Sequence, residues 1–225
     1  VLRNVHLRDV QKQNHNISIF TARRTVHQGQ WLPDPIHKND VEPLPPRLAY
    51  AFPQFEAGDL LFVHRSTNMV YIIDQETLEI KWWRTGFTKR PHDADWQPDG
   101  TITVYDNNMR EPVEGNDGYL DDLDHVRYSR IMRIDPNSFE TTVAYDGELD
   151  GFYSGARGVH QVLPNGNILI TSPHQGRVLE VNEQGETVFE FVNTYDEKES
   201  LNVSESRWFP LDYFDFDVTN PANCQ

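Results

Sequence analysis

Residues 158–195 read GVHQVLPNGNILITSPHQGRVLEVNEQGETVFEFVNTY, and this stretch decides the fold. Val159 to Leu163 forms a first strand, closed by the turn Pro164-Asn165-Gly166, whose Asn-Gly pair tolerates positive φ. Asn167 to Ser172 is a second strand, alternating small polar and β-branched residues. Pro173 to Gly176 turns again, Arg177 to Val181 is a third strand, Glu183-Gln184-Gly185 turns, and Glu186 to Val192 is a fourth. Short strands separated by Gly-bearing turns indicate an antiparallel sheet, because the apolar period is near two and not 3.6.

The same unit recurs upstream. Gly58, Gly100 and Gly166 occupy equivalent turns, followed by LLFV, TITV and NILI. MVYIID, RIMRID and RVLEVN are equivalent third strands, each followed by a turn and a fourth strand. Four strands repeating at roughly 40–50 residues is the pattern of β-propeller blades. The expected fold is therefore all-β, a propeller of four-stranded antiparallel blades; a sandwich of unrelated hairpins is the alternative. Three blades are visible, at 58–90, 91–150 and 151–195, the second lengthened by an insertion at 107–128. Three are too few to close a ring, so the outer faces of the first and last need covering, by further blades or by another chain.

Residues 1–57 form an irregular segment with a possible partial blade. Asn16 to Val26 offers one strand or two, and Pro33, Pro35, Pro43, Pro45 and Pro46 mark an extended connector unsuited to helix. Residues 196–225 form an aromatic C-terminal segment in which Trp208, Phe209, Tyr213, Phe214 and Phe216 stand among prolines and aspartates. So many rings are expected to pack back on the propeller. Trp82 and Trp83 are adjacent on a strand, so one faces the core and the other does not.

Composition bounds the function. The 225 residues are 37% hydrophobic and 12% aromatic, enough for a packed core. A formal net charge of −15 argues against nucleic acid or an anionic membrane surface as partner. It is compatible with a protein kept soluble outside the cytoplasm by surface carboxylates. No apolar run is long enough to span a bilayer. The chain starts at Val1, and a processed or truncated start is expected. The single cysteine, Cys224, excludes a disulfide within the chain and a cysteine-based zinc site. Asn16-Ile17-Ser18 and Asn202-Val203-Ser204 fit glycosylation sequons.

Histidines recur at strand starts and hairpin ends. His92 opens HDADW, His160 lies in GVHQV, and His64 and His174 follow second strands. The inner strand of a blade and its adjoining loops face the propeller channel. His92 and His160 are therefore channel candidates, with Arg157 as a cation for an anionic group. The insertion carries Asp117, Asp121 and Asp122 around Gly115 and Gly118, oxygen ligands suited to calcium, although the EF-hand pattern is not met. A solvated acidic loop is the competing reading. Calcium is the only cofactor these residues suggest.

HDADWQPDGTITVYDNN, then SRIMRID, then VLPNGNILITSPHQGRVLEVNEQGETVFEF together resemble the arylsulfotransferase (ASST-type) propeller family. The resemblance covers about residues 58–195. It implies a six-bladed ring, an extracytoplasmic location, and transfer of a sulfuryl group between phenols through a channel histidine without a nucleotide cofactor. His92 matches the family's His-Asp blade opening, and His174 matches the histidine of the Ser-x-His-Gln turn. The arginine that precedes that histidine in active bacterial members stands here as Pro173. Their His-x-Asn aligns with Gly158-Val159-His160. Arg157 and Arg177 are the arginines able to replace the missing cation.

The sequence therefore gives catalytic candidates His92, His160 and His174 and substrate-binding candidates Arg157 and Arg177. Two functions follow: an arylsulfotransferase-like ligand-binding or assembly subunit, and an active aryl sulfotransferase. A small aromatic or sulfated molecule is the expected ligand of either.

Overall fold

The computed structural model describes residues 4–18, 37–109 and 128–219. Among them, twelve strands form three four-stranded antiparallel sheets, each a blade. Blade 1 holds β1 (Lys38–Pro43), β2 (Leu60–His64), β3 (Met69–Ile73) and β4 (Ile80–Thr85). Blade 2 holds β5 (Pro91–Trp96), β6 (Ile102–Asp106), β7 (Arg130–Ile134) and β8 (Thr141–Asp146). Blade 3 holds β9 (Val159–Val162), β10 (Ile168–Ser172), β11 (Arg177–Val181) and β12 (Thr187–Val192). Every strand pairs with its neighbour in sequence, and the inner strands β1, β5 and β9 lie side by side.

The turn glycines explain the register. Gly58, Gly100 and Gly166 each precede a second strand and take φ of +96°, +82° and +87°, a region that favours glycine. At Gly100 a Cβ would also stand 2.8 Å from the Ala51 carbonyl oxygen. The repeat read from the sequence is thus a repeat of backbone conformation.

Blades pack face to face. Leu61, Val63, Val70, Ile72 and Trp82 of blade 1 meet Trp96, Ile102, Val104 and Ile134 of blade 2. Tyr105, Ile131 and Tyr145 of blade 2 meet Ile168, Ile170, Leu179 and Val181 of blade 3, with Phe152 between them. Each such aliphatic side chain contributes about 1.5–3 kcal/mol on burial. Trp82 is buried and stacks on Phe139 at a centroid distance of 5.9 Å, while Trp83 is partly exposed.

The outer face of blade 1 is covered by a helix. In α1 (Leu7–Gln13), Leu7 and Val10 are three residues apart and share a face. That face packs on Phe62, Met69, Tyr71 and Ile73. Asn14, just past the helix, donates to the Leu78 carbonyl at 2.7 Å and accepts from the Ile80 amide at 2.8 Å. At the other end, all six residues of β12 are exposed, Val188, Phe189 and Phe191 among them.

Two features differ from the connector expected in 37–57. β1 lies in it as the inner strand of blade 1, and Pro46–Ala51 form a 3-10 helix. Pro46 stands at the start of that helix, where a missing N–H costs nothing, and its fixed φ suits the turn. The strands expected from Asn16 to Val26 fall largely outside the described residues, as do Pro33, Pro35, Cys224 and most of the acidic insertion with Asp117, Asp121 and Asp122.

The C-terminal segment runs back over blade 3. Ser200 Oγ donates to the Gln175 carbonyl at 2.9 Å, and the Leu201 amide donates to the Asn193 carbonyl at 2.8 Å. Phe209, Tyr213, Phe214 and Phe216 contact one another's rings and remain partly exposed. No helix among the described residues is long and apolar enough to cross a membrane.

Candidate active site

The inner strands carry acids on alternate residues: Asp40 and Glu42 on β1, Asp93 and Asp95 on β5. These side chains clasp the next blade. Asp40 Oδ2 accepts from the Ala94 amide at 3.2 Å, and Glu42 Oε2 accepts from the Trp96 amide at 3.2 Å. Asp93 Oδ2 accepts from the His160 amide at 2.6 Å. Each clasp ties a side-chain carboxyl oxygen to a backbone donor on the neighbouring blade's inner strand.

β5 is bulged between His92 and Ala94, and Asp93 there has φ of +39°. A bulge re-aims its neighbouring side chains, and a non-glycine residue in this region stores strain. Here it turns Asp93 toward β9 and leaves His92 on the rim of a cleft. That cleft, of about 630 Å³, is also lined by His37, Arg65, Arg157, Glu205 and Arg207.

His92 is held in one tautomer. Its Nδ1 lies 2.5 Å from Asn107 Oδ1 and 3.3 Å from the Arg90 carbonyl. Asn107 Nδ2 donates to the Ser154 and Arg157 carbonyls at 2.6 and 2.8 Å, which fixes its amide with the oxygen toward His92. Nδ1 therefore carries the proton, and Nε2 presents a lone pair. That lone pair accepts from the Arg157 amide at 3.1 Å. Burial pushes the His92 pKa down to about 4, with Arg65 and His37 adding to the effect against the bonds from Asn107 and Arg90. The imidazole is neutral at neutral pH, the form a nucleophile needs.

His160 is placed differently. It is fully enclosed, with Nδ1 2.8 Å from Asp93 Oδ2 and Nε2 2.7 Å from Thr103 Oγ1. Gln97 Nε2 also donates to the Thr103 hydroxyl at 2.7 Å. Burial alone would lower the His160 pKa, but the Asp95 and Asp93 carboxylates outweigh it and raise it. Asp95 is itself raised by burial, with His160 opposing and Asp93 reinforcing. Both ring nitrogens of His160 are engaged, so this residue holds β9 to β5 rather than presenting a nitrogen to the cleft.

The remaining sequence candidates separate. Arg157 has an exposed side chain on the cleft wall. Arg177 pairs with Glu190 at 2.5 Å and Asp150 at 3.3 Å, tying β11 to β12 and to the loop after β8, away from the cleft lining. His174 is exposed in the 3-10 helix Pro173–Gln175 and does not line the cleft. Pro173 starts that helix and is buried. The structure thus brings together His92 and Arg157, with His160 directly behind them, and leaves His174 and Arg177 apart.

Three contributors escaped the sequence reading. Asn107 sets the His92 tautomer, Asp93 anchors His160, and Arg207 lines the cleft from the C-terminal segment. Asp93 was signalled by the HDADW motif that contains it, and Asn107 by the asparagine pair ending YDNN. As for a metal, Asp93, Asp95 and His160 place one ligand atom each within 4.8 Å of one another. Two of these groups are already bonded to each other, and His160 Nε2 is taken by Thr103, so a cation there would have to displace existing bonds.

The profile of the arylsulfotransferase (ASST) family matches residues 1–194. No curated protein matches the chain. Among solved structures, virginiamycin B lyase from Staphylococcus aureus is 18% identical with a TM-score of 0.39, the match covering 60% of this chain and 37% of that one. A protein of unknown function from Bacteroides caccae is 15% identical with a TM-score of 0.34, over 68% and 63% of the two chains. Hydrazine synthase from Kuenenia stuttgartiensis is 14% identical with a TM-score of 0.36, over 73% and 52%. The chain therefore spans less than two thirds of each of these structures.

Proposed function

The chain belongs to the arylsulfotransferase (ASST) family, and from that premise we propose that its cleft binds an aryl sulfate and that His92 takes up the sulfuryl group. The observation that carries this reading is a neutral histidine with a defined Nε2 lone pair, facing a cleft lined by Arg65, Arg157 and Arg207. In the first step Nε2 attacks sulfur, the bond from sulfur to the aryl oxygen breaks, and the phenolate leaves with the electron pair. In the second, an acceptor phenol oxygen attacks the same sulfur, the N–S bond breaks, the imidazole regains its lone pair, and the phenol proton is lost. The Arg157 amide must let go of Nε2 for the first step, and its N–H is then free to donate to a sulfuryl oxygen. The phenol proton has candidate acceptors in Asp40 and Glu205 on the cleft wall.

A second reading is a binding protein without turnover. It is favoured by the same Arg157 bond, which occupies the nucleophilic nitrogen, and by the enclosure of His160. In either reading we place the protein in the periplasm or outside the cell. Its blades would belong to a six-bladed ring completed by further blades or by another chain over the exposed face of β12.

Steady-state assay with p-nitrophenyl sulfate and a phenol acceptor tests the first reading. Wild-type protein should release p-nitrophenol, and His92→Gln should lower kcat at least 100-fold with the fold intact. Binding without release, in wild type as in the variant, would replace the first reading with the second.

A further inference from the structure

The C-terminal segment repeats the contacts of an inner strand. Ser204-Glu205-Ser206-Arg207-Trp208-Phe209-Pro210 runs parallel in residue type to His92-Asp93-Ala94-Asp95-Trp96-Gln97-Pro98: an acid second, a small residue third, tryptophan fifth and proline seventh. The hydrogen bonds keep the same register. Glu42 faces Leu61, and Gln161 faces Leu169, the second residue of the adjoining strand in each blade. Glu42 Oε2 accepts from the Trp96 amide at 3.2 Å, and Gln161 Oε1 accepts from the Trp208 amide at 2.9 Å. Two residues earlier, the Ala94 amide is taken by Asp40 and the His160 amide by Asp93. On blade 3 the residue preceding His160 is Val159, which has no acceptor. The Ser206 amide donates instead to Thr171 Oγ1 at 3.0 Å. Ser204–Trp208 therefore stands against blade 3 as β5 stands against blade 1.

In this register Arg207 takes the place of Asp95, so the position changes sign. Its Nε bonds Glu205 Oε1 at 2.5 Å, and Nη2 lies 4.0 Å from Asp93 Oδ1, longer than a charge-assisted hydrogen bond. Asp93 gives its other oxygen to His160. The Arg207 side chain is 38% exposed on the cleft wall, on the same lining as His92 and Arg157. Its remaining N–H donors form a fork suited to two oxygens of a tetrahedral oxyanion.

We propose that Ser204–Trp208 is the inner strand of a fourth blade and that Arg207, carried on it, binds the anionic oxygens of the cleft's ligand. This role rests on the aryl sulfate reading above and names a residue for it. Arg177, by contrast, is committed to Glu190 and Asp150.

The test is rapid-mixing titration of the whole chain with p-nitrophenyl sulfate, reading binding before p-nitrophenol is released, and, separately, equilibrium titration with p-nitrophenol. Arg207→Ala should weaken p-nitrophenyl sulfate binding at least tenfold and leave p-nitrophenol binding within twofold, with Arg207→Lys in between. Gln161→Ala, which frees the Trp208 amide, should weaken sulfate-ester binding in the same direction while Arg207 remains. Equal binding by wild type and Arg207→Ala would overturn the role of Arg207 and leave the aryl sulfate reading standing. No binding by wild type would overturn both. Amide exchange judges the strand separately: the Ser206 and Trp208 amides should be protected beyond those of Glu197 and Lys198, and equal exchange would overturn the strand assignment.

Discussion

Asn107 immediately follows β6 and faces His92 at the start of β5, so two strands meet at one imidazole. Its amide oxygen decides which nitrogen of His92 is basic. Nitrogen-15 NMR of histidine-labelled protein should find His92 neutral and protonated on Nδ1 at pH 7, taking up a proton only near pH 4, where burial has pushed its pKa. Asn107→Ala should remove the tautomer preference and lower transfer about 10- to 100-fold, the range expected for loss of a group that orients a catalytic imidazole. A titration midpoint near 6.5, or an Nε2-protonated ring in wild type, would contradict this placement. His92 and Arg157 were legible at this scale because both stand where an inner strand begins. The enclosure of His160 was not, since strict alternation of strand faces fails at a bulge, and the Asp93 bulge is what aims the carboxylate at His160.

At the scale of the element, the inner strands trade apolar side chains for acceptors. β1 reads Lys-Asn-Asp-Val-Glu-Pro, with none of the β-branched alternation of β2 or β3, because Asp40 and Glu42 serve amides of β5. This is why β1 and the strand at Ser204–Trp208 were hard to see in the sequence, while the middle strands of every blade were plain. The use of acids has an energetic consequence. Burial, reinforced by Asp95, Asp40 and Asp93, raises the Glu42 pKa to about 8. The folded state then keeps a proton that the unfolded chain releases above its ordinary value of 4.5. This contribution to stability is complete below pH 4.5 and is lost as pH rises through about 8. Glu42→Gln should retain the acceptor for Trp96, as Gln161 does for Trp208, and remove that loss. Urea unfolding should show the variant gaining on wild type between pH 5 and pH 9 by about 1–3 kcal/mol. A constant difference across that range would mean that Glu42 is ionised at no cost.

At the scale of the molecule, the blade repeat was legible because three kinds of signal coincide: turn glycines at positive φ, period-two strands, and apolar residues aligned in the middle of each blade. What covers the first blade was not legible. α1 is only seven residues long, and its apolar face is two side chains, Leu7 and Val10, whose partners lie on β2 and β3. A helix thus packs on the outer face of blade 1, and the C-terminal segment extends from blade 3 toward a fourth inner strand. Three inner strands and that segment line a cleft that holds His37 and His92 and whose walls carry arginines. We propose that this cleft holds a sulfuryl group on His92. The most direct measurement is mass spectrometry of the whole chain after brief reaction with p-nitrophenyl sulfate and no acceptor, followed by peptide mapping. A gain of about 80 Da, the mass of one sulfuryl group held covalently, is expected on the peptide containing His92, absent in His92→Gln and discharged by added phenol. An unmodified His92 peptide while p-nitrophenol is released, or the same adduct on another histidine, would contradict it.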